Sequence, residues 1–183
     1  MSQTAPNLNF STDELPTSPE SLIASLTALG IPHRVYKHAA VFTVAESQHV
    51  DAQIAGCHTR NMFLKDKKGA MFLVTLRHDT MIDLKKLSDV LEAGRFSFGS
   101  PERLWENLGV RPGSVTPFAI VNDTQKAVTL VLEAGMMDEE IVNYHPLVNT
   151  MTVGLTPQHL LDYMRSIGVN PRIVDLSAAC PDA

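Results

Sequence analysis

Short helices alternate with short apolar runs along this chain, and the spacing of its hydrophobic residues separates the two. Leu22, Ile23, Leu26 and Leu29 share one face of a helix that Ser18-Pro19-Glu20 starts, with a cap and a first-turn proline, and that Gly30 stops. Ser100-Pro101-Glu102 repeats that start ahead of Leu104, Trp105 and Leu108, with Gly109 as the stop. Thr156-Pro157 opens a third helix through Leu160, Leu161 and Met164 to Gly168. Thr43 and Glu46 form a capping box for a short helix, and Asp83 can cap another over 84–91. The remaining apolar runs predict strands at 34–37, 61–65, 71–76, 95–98, 118–121, 128–132, 141–144, 151–155 and 172–174. Turns at 66–69 and 122–126 join the second strand to the third and the fifth to the sixth. Hairpins interleaved with helices predict a mixed, mainly antiparallel sheet rather than a doubly wound parallel one.

At 183 residues the chain is long enough for one domain with a substantial core, and its 44% hydrophobic and 19% charged residues are those of an ordinary globule. Residues 1–17, polar and rich in Pro, Ser and Thr, are expected to be a flexible arm, 18–175 the folded domain and 176–183 a tail. No apolar run reaches the roughly 18–20 residues of a membrane helix, and residues 1–19 lack the basic start and apolar centre of a secretory signal. A cytoplasmic protein without a membrane partner is expected. Two cysteines, Cys57 and Cys180, support neither a disulfide framework nor a cysteine zinc site.

The formal charge of −5 opposes general nucleic-acid binding, but it is unevenly spread. Between Arg60 and Arg111 stand ten Lys or Arg against seven Asp or Glu, and five against thirteen elsewhere. That basic segment opens with Thr59-Arg60-Asn61-Met62-Phe63-Leu64-Lys65-Asp66, which puts Arg60, Asn61 and Lys65 on or beside a strand. Strand alternation separates Asn61, Phe63 and Lys65 from Arg60, Met62 and Leu64, so Arg60 joins Asn61 only if it lies in the preceding loop, which is the expectation. Gly113-Ser-Val-Thr-Pro117 and Asn143-Tyr-His-Pro-Leu-Val-Asn-Thr150 are the other candidate segments. Glycine permits close backbone approach, and backbone amides polarise an ester carbonyl without titrating. Cys57-His58 lacks an activating constellation, while His33, His38, His49, His78 and His159 have no second ligand at metal-like spacing and read as surface or helix residues. Trp105, Phe96 and Phe98 read as core by their spacing.

Together the three segments resemble the editing domains associated with prolyl-tRNA synthetase, the YbaK-type aminoacyl-tRNA deacylases, and within them the freestanding alanyl-tRNA(Pro) deacylases. The resemblance spans roughly residues 18–175. It implies an α/β fold whose sheet curls into a partly open barrel with surrounding helices, and hydrolysis in trans of mischarged Ala-tRNA(Pro) without a cofactor or metal. By the family pattern, Arg60, Asn61, Lys65, Gly113 and His145 are the catalytic set, Arg60, Lys65 and Arg95 contact tRNA, and His145 positions the terminal ribose or amino acid. Arg60 stands where the family usually has lysine, so a point charge becomes a planar fork. Met62, Leu64, Val115, Pro117 and Phe118 are candidates for a pocket that excludes proline by size. The implied partner is the acceptor end of tRNA(Pro) carrying alanine, with prolyl-tRNA synthetase or an elongation factor as candidate protein partners. Two alternatives stay open: a deacylase for another mischarged tRNA such as cysteinyl-tRNA, and a non-catalytic tRNA- or synthetase-binding module.

Overall fold

The computed structural model describes residues 15–41 and 44–182; Thr43 of the expected capping box lies outside them. Its elements in chain order are α1 (Pro19–Ala28), β1 (Arg34–Lys37), α2 (Val44–Asp51), β2 (Cys57–Asp66), β3 (Met71–Arg77), α3 (Leu84–Val90), β4 (Phe96–Phe98), α4 (Pro101–Leu108), β5 (Val128–Glu133), β6 (Val142–Tyr144), β7 (Met151–Leu155), α5 (Pro157–Ser166) and β8 (Arg172–Val174). The caps act as their chemistry requires. Ser18, Ser100 and Thr156 accept from the amides of Ser21, Arg103 and His159, and Asp83 accepts from Lys85 and Lys86.

Eight strands form one mixed sheet in the order β1-β7-β6-β2-β3-β5-β8, with β4 added to the end of β2. The pairs β1–β7, β6–β7, β2–β3 and β2–β4 are antiparallel; β2–β6, β3–β5 and β5–β8 are parallel. The sheet does not close, since β1 and β8 end it. β2 joins its two halves, pairing Cys57 and His58 with Val142 and Asn143 of β6 and the rest of its length with β3 and β4. The turn from β2 to β3 is held by Asp66, whose carboxylate accepts from the amides of Lys68, Ala70 and Gly94.

One expected strand is absent. Residues 117–122 form a 3-10 helix, begun by Thr116, whose hydroxyl accepts from the Phe118 amide, and by Pro117. The 122–126 turn therefore leads from a helical turn into β5 and closes no hairpin.

Two apolar clusters lie on the two faces of the sheet. Phe63, Leu73, Leu130 and Leu132 face the larger one, under α1, α4 and α5, while Met62, Leu64, Phe72, Val74, Leu76 and Val131 face the smaller one, under α3. Leu176 and Ala179 are buried in that smaller cluster, and the Ala179 carbonyl accepts from the Asp83 amide, so residues 176–179 belong to the core rather than to a free tail. At the other terminus Leu15 packs on the larger cluster and the Thr17 hydroxyl donates to Asn122, so the packed chain begins before residue 18. Phe96 is buried as expected, but Phe98 is 65% exposed. No helix of the described residues is long and apolar enough to cross a membrane.

Candidate functional site

Where β2 passes from one half of the sheet to the other, one face of β1, β6 and β7 carries polar side chains in place of core. His38, Asn143, His145 and Thr152 line a cavity there with His58, Thr59 and Asn61 of β2, and Val41, Val50 and Asp51 close it. Its volume is about 40 Å³, room for a few water-sized groups.

Hydrogen bonds fix the polarity of this wall. The Asn61 Oδ1 accepts from the hydroxyl of fully buried Thr75 at 2.8 Å, which leaves its amide N–H groups for the cavity. His145 Nδ1 lies 3.0 Å from the Met151 carbonyl. A carbonyl only accepts, so Nδ1 carries the proton and Nε2 keeps its lone pair. Burial, opposed by that hydrogen bond and assisted by nearby His38, holds the His145 pKa below its ordinary value, and the ring is neutral at pH 7. His58 is held by Asp51 at 2.9 Å and by the Ile54 carbonyl at 2.9 Å, which ties the end of α2 to β2. The buried Asn143 carboxamide donates to the Ala55 carbonyl at 3.1 Å and lies against Gly56 and Gly154.

Of the expected site residues, Asn61 and His145 meet here across 84 residues of chain. Arg60 does not join them. β2 begins at Cys57, so Arg60 is inside the strand, opposite Leu76 on the face of Met62, and its guanidinium donates to the Thr80 carbonyl at 2.9 Å. Lys65 pairs with Met71 and Ser97 at the far end of β2, about 13 Å from Asn61 at roughly 3.3 Å per residue. Gly113 adopts φ +88° and borders Asn149, whose amide donates to the carbonyl of Val41, so this loop flanks the cavity without lining it.

The expected sieve is also elsewhere. Met62 and Leu64 are buried against Leu87 and Leu91 in the smaller cluster. Pro117 is buried, and Phe118 lies in the larger cluster, packed edge-on against Tyr144 and Tyr163, with Val115 on its margin. Arg95 is exposed and lines a separate groove of about 650 Å³ with Lys67, Lys85, Asp83 and Asp89, beside α3.

Sequence spacing missed His38, Asp51, His58 and Thr152. The available signal was alternation: Tyr36 is the register partner of Thr152 of β7, and His38, two residues on and just past the end of β1, falls on the same side. Among the described residues no group of three or more His, Cys, Asp or Glu is arranged to hold a metal. Burial and next the Glu139 charge push the Cys57 thiol up to about 11, so it stays protonated and is no nucleophile at neutral pH.

An open mixed sheet carries this polar cavity at the junction of its halves, and residues 38–163 match the model of the aminoacyl-tRNA editing domain: the chain belongs to that family. Among its relatives are the prolyl-tRNA synthetase associated domain-containing protein 1 of Danio rerio, 37% identical over 81% of this chain and 82% of the relative, and the prolyl-tRNA editing protein ProX of Acetoanaerobium sticklandii, 31% identical over 86% and 96%. The fold is shared with the crystal structure of a proposed trans-editing enzyme for prolyl tRNA synthetase, at a TM-score of 0.63 and 17% identity over 86% of this chain and 96% of that one.

Proposed function

We propose that this protein hydrolyses in trans the ester that joins alanine to tRNA(Pro). The observation that carries this reading is the cavity itself: in an aminoacyl-tRNA editing domain, a small space of about 40 Å³ presents amide donors from Asn61, a neutral acceptor from His145 and two valines. Asn61 Nδ2 is suited to polarise the ester carbonyl, and His145 Nε2 to accept a hydrogen bond from the terminal ribose 2′-hydroxyl, which in turn orients the attacking water. Water adds to the carbonyl carbon, the bond to the ribose 3′-oxygen breaks, and alanine and the free 3′-hydroxyl leave.

Selectivity is steric, with Val41 and Val50 in the role first expected of Met62, Leu64, Val115 and Phe118. Alanine's methyl group fits where the proline ring does not, and such a size difference is worth a few kcal/mol at most. Arg95 and its neighbours supply a basic surface for the acceptor stem. The decisive experiment measures single-turnover hydrolysis of a panel of mischarged tRNAs by the purified protein. Ala-tRNA(Pro) is expected to be cleaved fastest and Pro-tRNA(Pro) spared. Preference for Cys-tRNA would reassign the substrate, and tRNA binding without any hydrolysis would make the domain a binding module.

A further inference from the structure

Of the three histidines that line the cavity, His38 is unused by that chemistry, yet its hydrogen bonds are specific. His38 Nδ1 lies 2.8 Å from the Ala39 carbonyl, and its Nε2 lies 2.9 Å from the Thr152 hydroxyl. In the neutral ring the Ala39 carbonyl fixes the proton on Nδ1, so Nε2 is an acceptor and takes the one proton that Thr152 has. The hydroxyl oxygen of Thr152, on the cavity wall, is then left with lone pairs only. His38 Nε2 is thereby filled, and the acceptors left on the lining are the Thr152 oxygen and Nε2 of His145, whose ring is 6.5 Å from that of His38. Asp51 adds a carboxylate to the lining, and no Lys or Arg contributes to it among the described residues.

Away from the Asn61 amide, such a lining repels anionic oxygen and attracts a small donor that is neutral or cationic. An adenine ring is too large for the space. Of the groups on an aminoacyl-adenosine ester, the methyl suits Val41 and Val50, the carbonyl suits Asn61, and the 2′-hydroxyl suits His145. What remains is the α-amino group. Resting on the deacylase reading, we infer that Thr152, oriented by His38, recognises the α-amino group of the aminoacyl ester: Thr152 is a binding residue and His38 a positioning residue.

The test compares alanyl-tRNA(Pro) with propionyl-tRNA(Pro), which has the same acyl skeleton without the amine. Each enzymatic rate is divided by the spontaneous hydrolysis rate of its own ester. Wild type is expected to accelerate the alanyl ester at least about tenfold more than the propionyl ester, the scale of one hydrogen bond to a charged group. Thr152→Val should bring that ratio near one, Thr152→Ser should restore it, His38→Gln should lower it, and His145→Ala should slow both esters in parallel. Should Thr152→Val fail to fold, the His38→Gln ratio decides. Equal acceleration of both esters by wild type, or parallel loss in Thr152→Val, overturns the inference and leaves the deacylase standing. No acceleration of the alanyl ester removes the deacylase reading and the inference with it.

Discussion

Asn61 works in two directions, and a substitution that separates them is more informative than alanine. Its oxygen satisfies the buried Thr75 hydroxyl, so Asn61→Ala strands that donor at a cost of about 1–3 kcal/mol. Asn61→Asp keeps the acceptor and loses the amide donors. We expect its melting temperature to stay near that of wild type while single-turnover hydrolysis falls at least about tenfold. His145 gives a pH signature. Its folded pKa lies below the unfolded value of about 6.5, so the unfolded chain takes up the proton first. The stability that this ring contributes is present above about pH 6.5 and is lost as pH falls toward the lowered folded pKa. Denaturation across that window should show a drop that His145→Gln removes. The sieve can be tested in the same way: Phe118→Ala should cost about 3–5 kcal/mol and leave the alanine-to-proline rate ratio unchanged, whereas Val50→Ala should lower that ratio. At this scale the motifs singled out Asn61 and His145, and the fold brings both to one cavity. Arg60 was misplaced because the expected strand, 61–65, leaves it in the preceding loop, and β2 starts at Cys57, four residues earlier.

Helix starts were the most legible elements, because Ser or Thr followed by Pro is a local signal that needs no tertiary context. The same signal occurs at Thr116-Pro117, ahead of the one expected strand that is a 3-10 helix. Phe118-Ala-Ile-Val121 is apolar at every position, and periodicity cannot distinguish a buried helical turn from a buried strand. The β2–β6 contact was illegible for another reason. Only two residue pairs make it, and no apolar pattern marks the polar carboxamide that helps hold it. Asn143 lies between Gly56 and Gly154, and a Cβ on Gly154 would sit 2.7 Å from its oxygen. Gly154→Ala should therefore displace the carboxamide from Ala55, cost about 1–3 kcal/mol by overpacking and slow hydrolysis, as calorimetry and single-turnover rates would show.

The whole molecule divides its charge as well as its core. Arg95, Lys67 and Lys85 gather beside α3, on the face opposite Asn61 and toward the other end of β2. Arg95→Ala is expected to weaken tRNA affinity and reduce the salt slope by about one phosphate contact, with the rate at saturating tRNA unchanged. An unaltered slope would leave Arg95 as a surface residue. The two apolar clusters have a different consequence. Every residue around the cavity lies outside the smaller cluster under α3, so side chains there can change without touching the cavity walls. Proteins that acquire new specificity usually give up stability to do so. In this fold the two demands fall on opposite faces of one sheet, and the smaller cluster is a reservoir from which stability lost at the cavity can be made good, widening the range of side chains that its descendants can carry there.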